Sequence, residues 1–502
     1  MGPAVPAILD RSGAPSVVGP LPSAAPRRLL TRPLRVVGWT LTGVVGLLVL
    51  VVLATNVLLR TNLLRKLVNA DPEALFVDYR GATSWFPGHL SFDSLTLRSR
   101  DPNIEFEVAL EGVALRVSLA DLAGRRFHAT RVRARKLGFR LRERLEREQA
   151  TPARLATYPR IEGFAGPPLL ATAPSRSARA RPAPALPVPA GSPWRVVIDD
   201  LAVASVEEIW IDSWRWTGTG RVAGAFELLP GLEARVGPAR VEVATGELRH
   251  GESKVAARTF GAVWCELPRF DTQVYAGNEV WKIMTGGSEL RGDLASVAFL
   301  SPGAGGPRLS GGAGSIRERI GLKSGVGKVR LWVTARDVVV RSGKRTFKGT
   351  ARVDVHATDV DFRKASASLA GTNVALSNVA VEGAAARPWA ATFSAPTAKL
   401  LFEDGSLDAR LVGSLLDARP IVALMPSGLA KWVAKLLHLE NLRVTGRLSA
   451  GPSRLALTSL RLSAGNFSLE GDYRSSPGHQ QGSFRAKKGI LPAIRFKIPS
   501  GG

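Results

Sequence analysis

Between Arg35 and Arg60 the chain runs for 24 residues, Val36 to Leu59, without a charged side chain. As an α-helix that run rises roughly 36 Å, enough to cross a hydrocarbon layer of about 30 Å. A soluble helix of this length would carry a polar stripe, and here only Thr40, Thr42, Thr55 and Asn56 interrupt the Val and Leu. The run predicts a transmembrane helix over 34–60, with Val36, Leu48 and Leu59 as anchor residues and Trp39 near its first edge. Arg27, Arg28, Arg32 and Arg35 precede it, whereas Arg60, Arg65 and Lys66 are soon followed by Asp71 and Glu73. That asymmetry predicts a cytoplasmic N-terminus and an exported body. Val52 and Ala54 offer a signal-peptidase site, but the apolar run is too long for a signal peptide, which favours an uncleaved anchor. Residues 1–33, rich in Gly, Pro, Ser and Ala, read as a disordered cytoplasmic tail.

After the anchor the hydrophobic period changes to two. Phe106, Val108 and Leu110, then Val113, Leu115, Val117 and Leu119, alternate with polar residues around Glu111-Gly112. Such alternation places one face of a strand in a core and the other in water. Short strands of the same kind recur to the end of the chain. A phrase repeats among them, a polar residue followed by an apolar, any, apolar triplet: Ser94 to Leu97, Asp200 to Val203, Asp337 to Val340, Asn378 to Val381, Asn441 to Val444 and Ser459 to Leu462. Irregular spacing argues against a true repeat and for a long antiparallel meander. Strands of ordinary length would number about 25 to 28 over the exported residues.

Ten prolines fall within 150–193. Proline at this density supplies neither ladder donors nor helix turns, so the stretch reads as a linker or long loop. It separates a proximal β domain, 61–149, from a distal one, 194–502. Within the latter, Leu429, Trp432, Val433, Leu436 and Leu437 follow helical spacing after Pro426-Ser427-Gly428 and predict a helix that caps the open end of a sheet.

Catalytic chemistry finds no starting point. The six histidines stand far apart, so no metal-ligand spacing appears, and neither a G-x-S-x-G elbow nor a dinucleotide fingerprint is present. The stretch Gly321 to Lys328 imitates a phosphate loop, but Val329 stands where Ser or Thr is required and a strand follows; it reads as a glycine turn. Cys265 is the sole cysteine, which excludes an intramolecular disulfide and reads as a structural thiol beside Trp264. No cofactor and no metal is expected.

The net charge of +26 predicts attraction to polyanions, although 53 arginines against 15 lysines point to the coding bias of a GC-rich genome. Arg125 to Arg147 and Arg317 to Lys348 each carry ten basic residues and read as the solvated outer face of strands. Nucleic acid is not expected as a partner, because the anchor places these strands outside the cytoplasm.

The segment Ser84-Trp85-Phe86-Pro87-Gly88-His89-Leu90 through Leu97, the strand Val113 to Leu119 and then Leu122-Ala123-Gly124-Arg125 resembles the start of AsmA-like envelope proteins. The stretch Ile421 to Leu437 with Leu442-Arg443-Val444-Thr445-Gly446, and Leu460 to Tyr473 with its Leu469-Glu470-Gly471 step, resemble the later β segments of that family and the related TamB pattern. The resemblance implies a bacterial inner-membrane protein with a periplasmic body: an elongated, curled antiparallel β-sheet with few helices, whose apolar concave face forms a groove for lipid acyl chains. On that reading Phe106, Val108, Leu110, Val113, Leu115, Val117 and Leu119 line the groove. The function implied is phospholipid transport or outer-membrane biogenesis without catalysis, with membrane phospholipid and outer-membrane or envelope proteins as partners. The rival is a structural component of an envelope or secretion complex, its β body a closed sandwich that binds proteins.

Overall fold

The computed structural model describes residues 31–498 apart from 62–64, 67–68, 70–74, 101–102, 165, 171–193, 230–231, 276, 302–307, 343–344, 382–387, 418–439, 453, 477–478 and 491. The helix expected at Leu429 to Leu437 lies outside the described residues. So does the tail up to residue 30.

Helix α1 (Thr31–Arg60) covers the apolar run. Among the described residues no helix is long and apolar enough to cross a membrane. The α1 side chains before Thr42, Val36 among them, and Gly43 lie outside those residues. Of the apolar side chains that are described, Val44, Val45, Leu47 to Leu50, Leu53, Val57 and Leu58 stand exposed, Val51 and Val52 are half-buried and Leu59 is buried. The chain divides into a unit ending at Ala54 and a β body from Thr55 onward.

That body is mostly strand. The first are β1 (Leu75–Arg80), β2 (Thr83–Phe86), β3 (His89–Arg100), β4 (Ile104–Val117), β5 (Arg126–Glu143) and β6 (Arg195–Ile211). Then come β7 (Trp214–Leu229), β8 (Glu233–His250), β9 (Ser253–Asp271), β10 (Thr285–Leu294), β11 (Arg308–Ser310), β12 (Ala313–Lys323) and β13 (Val326–Ser342). Next are β14 (Arg345–Asp361), β15 (Ser366–Ser368), β16 (Thr372–Val381), β17 (Trp389–Leu401) and β18 (Ser406–Asp417). The last are β19 (Glu440–Gly451), β20 (Arg454–Ala464), β21 (Phe467–Ser476), β22 (His479–Lys488) and β23 (Ile494–Ile498). Two helical turns, α2 (Leu119–Ala123) and α3 (Pro152–Ala156), lie beside β5 and after it.

All 23 described strands belong to one curled sheet. Nearly every strand pairs antiparallel with its neighbours in sequence; β1 and β2 both lie on β3, while the short β11 and β15 extend the ladder beside β12 and β16. One pairing corrects the purely antiparallel expectation: β5 and β6 run parallel, from Arg126 opposite Arg195 to Leu141 opposite Ile211. Parallel neighbours need a crossover of a dozen residues or more, and the Pro-rich stretch supplies it. Strands on both sides of that stretch thus share one ladder. The described strands are also longer than expected, up to 19 residues in β9.

Bulges make such length possible. In four of the six copies of the repeated phrase the leading polar residue adopts a positive φ: Asp337, Asn378, Asn441 and Ser459. Register shifts fall at three of these, between Ala335 and Val338, Leu376 and Val379, and Leu457 and Leu460, and a fourth spans Asp200. An inserted residue moves side-chain parity by one, and Asn, Asp and Ser tolerate the left-handed conformation better than branched residues. Leu455 and Leu457 therefore share a face with Leu460 and Leu462. The phrase is a bulge signature inside strands rather than a strand repeat.

The glycine turn holds as expected: Ser324 and Gly325, both at positive φ, form the two-residue hairpin loop between β12 and β13. Cys265 is half-buried, and burial pushes its thiol pKa up.

Candidate functional site

The expected groove residues meet in the β3–β4–β5 ladder. Phe106 stands between Ser99 and Leu141, Val108 between Leu97 and Phe139, and Leu110 between Leu95 and Leu137. Beyond Glu111, Gly112 takes φ +58°, and the apolar side chains switch from even to odd positions. Val113 then faces Phe92, and Leu115 lies between Leu90 and Val132. Without that switch Val113, Leu115 and Val117 would point to the polar face. A Cβ at Gly112 would meet the Arg135 side chain, so left-handed geometry and close approach both select glycine there.

The two halves of the ladder differ in cover. Val113, Leu115 and Val117 are buried with Leu59, Tyr79, Phe92 and Val132, and Leu95, Leu110 and Leu137 pack against that cluster. Phe106, Val108, Leu110, Leu97, Phe139 and Leu141 are only half-buried. Leu119 is placed elsewhere: it opens α2, outside β4, and is exposed. Among the described residues each strand packs most extensively on its hydrogen-bonded neighbours.

The opposite face of the same ladder is charged and sealed. Glu105, 1% exposed, accepts from Arg100 Nε at 2.8 Å and Arg142 Nε at 2.7 Å. Arg142 also donates to the carbonyls of Pro159 and Phe164 at 3.3 and 3.0 Å. Glu107 joins Arg98 at 2.9 Å and Arg140 at 3.2 Å, and Arg140 continues to Glu208 on β6. The cover is the segment after β5, which carries buried Leu145, Tyr158, Ile161 and Phe164 and closes with a bridge between Leu145 and Leu169. This portion of the Pro-rich stretch is folded. Burial raises the Tyr158 pKa and, nearby, that of Asp212.

The basic regions follow the same rule of cross-strand pairing. Arg133 meets Asp200 at 2.6 Å and Lys136 meets Glu207 at 2.8 Å. Glu289 receives Arg291, Arg317 and Arg319, which pull its pKa down to about 2. Arg317 and Arg330 stack on the Trp332 ring. His128 is gripped on both ring nitrogens, by Asp121 at 2.7 Å and Asp199 at 2.6 Å, and these bonds, the one to Asp199 foremost, raise its pKa.

A cavity of about 920 Å³ spans β6 to β10 and is lined by Arg221, Arg240, Glu242, Phe260, Trp264 and Arg291 among others. Its lining mixes charged side chains with the Phe260 and Trp264 rings. No group of His, Cys, Asp or Glu among the described residues is arranged to hold a metal ion.

The charged face was within reach of sequence reasoning, because Glu105-x-Glu107 and Arg140-x-Arg142 alternate with the apolar residues of β4 and β5. What was missed is that they oppose one another, which depends on register. The fold defines a class: one mixed sheet whose faces differ, one apolar and one charged. Comparison with known protein families, curated proteins and solved structures returns no match for this chain.

Proposed function

We propose that this chain is a membrane-anchored, non-enzymatic β-groove protein of AsmA-like type that binds lipid acyl chains along the apolar face of its sheet, in phospholipid transport or outer-membrane biogenesis. The observation that carries this reading is the half-buried row Phe106, Val108 and Leu110 with Leu97, Phe139 and Leu141, in a ladder whose other face is covered, around Glu105 and Arg142, by the segment after β5. Each methylene laid on such a row gains about 0.8 kcal/mol. The anchor is α1, supported by its uncharged run and by the exposed Val and Leu side chains along it. On this reading the protein sits in a bacterial inner membrane, N-terminus inside and body in the periplasm, and takes phospholipid and envelope proteins as partners. A closed sandwich receives no support, since a sandwich needs two sheets and the described strands form one.

The test is photo-crosslinking in cells. A crosslinking amino acid at Val108 or Phe139 is expected to capture phospholipid, and one at Ala114 or Arg116, on the other face, is not. Equal capture from both faces would remove the groove.

A further inference from the structure

Three apolar side chains stand in solvent where the sheet meets the last turn of α1. Trp85 is 72% exposed, Phe86 46% and Leu119 45%. Trp85 and Phe86 form the tip of the β2–β3 hairpin, and both rings contact the His89 ring. Leu119 joins them because Val117 N donates to Gly88 O at 2.7 Å, bringing the start of α2 alongside the hairpin turn.

This tip is fixed to the helix. The Asn56 side chain donates to Ser84 O at 2.6 Å and accepts from Ser84 N at 2.9 Å, so it closes both backbone groups of one hairpin residue. Tyr79 Oη donates to Leu59 O at 3.1 Å, and Leu59 is buried in the adjoining core. Asn56 lies one turn before Arg60, so the tip is tied to the helix roughly 6 Å along its axis from the helix end. Exposed Arg60, Lys66, Arg80, Arg116 and Arg131 surround this end of the sheet.

An exposed Trp-Phe pair costs solvation free energy in water. Tryptophan has its optimum at the head-group layer, where its ring is desolvated and its N–H is not, and arginine pairs there with lipid phosphate. We propose that the Trp85–Phe86 tip, together with Leu119, is a second membrane contact, seated in the interfacial layer of the bilayer that α1 enters. This rests on the reading of α1 as the anchor. Two contacts rather than one stop the sheet from swinging about the helix and hold its first ladder against the lipid surface.

The test uses full-length protein carrying Cys265→Ala and one of Trp85→Cys, Phe86→Cys, Leu119→Cys or, as a control on β17, Thr397→Cys, each labelled with an environment-sensitive fluorophore. All are reconstituted into vesicles of phosphatidylcholine and phosphatidylglycerol. The four introduced positions are exposed, and circular dichroism matching that of the parent verifies the fold. Flotation with the vesicles reads the anchor, and quenching by nitroxide on the upper acyl chain reads the tip. The expected result is flotation of every variant, with loss of fluorescence at positions 85, 86 and 119 and none at 397. Flotation with position 85 as unquenched as 397 overturns the second contact and leaves the anchor standing. Failure to float overturns both.

Discussion

The first and last ladders of the sheet carry the same alternation and bury it differently. In β3 to β5 the charged face is sealed: Arg142 and Glu105 are nearly inaccessible and bonded to one another and to the covering segment. In β18 to β21 the corresponding pairs, Arg447 with Asp408 and Arg461 with Glu470, are open to solvent. The apolar face behaves in the opposite way. The last ladder packs Leu442, Leu462, Phe467, Leu469 and Phe484 into the largest buried cluster, while the outer half of β4 leaves Phe106 and Val108 half-buried. Alternation sets which residues share a face; what lies on that face is set by chain far away.

The largest effect is expected where a sealed charge loses its partner. Glu105→Ala strands Arg142 away from water and should destabilise the protein by about 3–5 kcal/mol in denaturant unfolding. A cost below about 1 kcal/mol would show that the segment over this face opens easily. In the distal cluster Leu442→Ala should cost about 2–5 kcal/mol by leaving a cavity, and a smaller value would mean that the ladder collapses into the space. Next comes the parity switch: Gly112→Val forces a branched residue into left-handed geometry, with an expected loss of about 1–2 kcal/mol. Asp408→Asn breaks an exposed pair and should change stability by less than about 1 kcal/mol, the open counterpart of Glu105→Ala.

The smallest effect is a pH dependence. The folded-state pKa of His128 is raised above its ordinary 6.5, so its grip by two aspartates contributes stability that is complete below that value and lost as pH rises through the folded pKa. Asp121 is lowered from 3.8, chiefly by hydrogen bonds from Ser118 and His128, so its share is present above 3.8 and lost as pH falls through the folded value. The stability difference between the parent and His128→Gln should therefore be largest between about pH 4 and 6.5 and shrink above it, as read by thermal unfolding across pH. A difference that is flat with pH would mean that the ring is not charged in the clamp.

Much of the fold was legible because it is local. Period-two alternation in β4, the turn at Ser324-Gly325 and the polar residue before each apolar triplet are all properties of a few adjacent residues. Even there the triplet was read as a strand and not as the bulge within it, since a positive φ at Asn378 or Ser459 leaves no mark on composition. The groove candidates on β4 converge on one face; Leu119 departs, because the strand ends at Val117 and a helical turn takes over.

By itself the sequence determined which side chains alternate and where an uncharged run stands within a helix. Those follow from period and charge, which act over a few residues. Only the tertiary structure decided that β5 and β6 run parallel, that the Glu105–Arg142 pair is sealed against Pro159 and Phe164, and that Asp199 reaches His128. The partners in these contacts lie tens of residues apart, and it is strand register, set by the folded sheet as a whole, that brings them together.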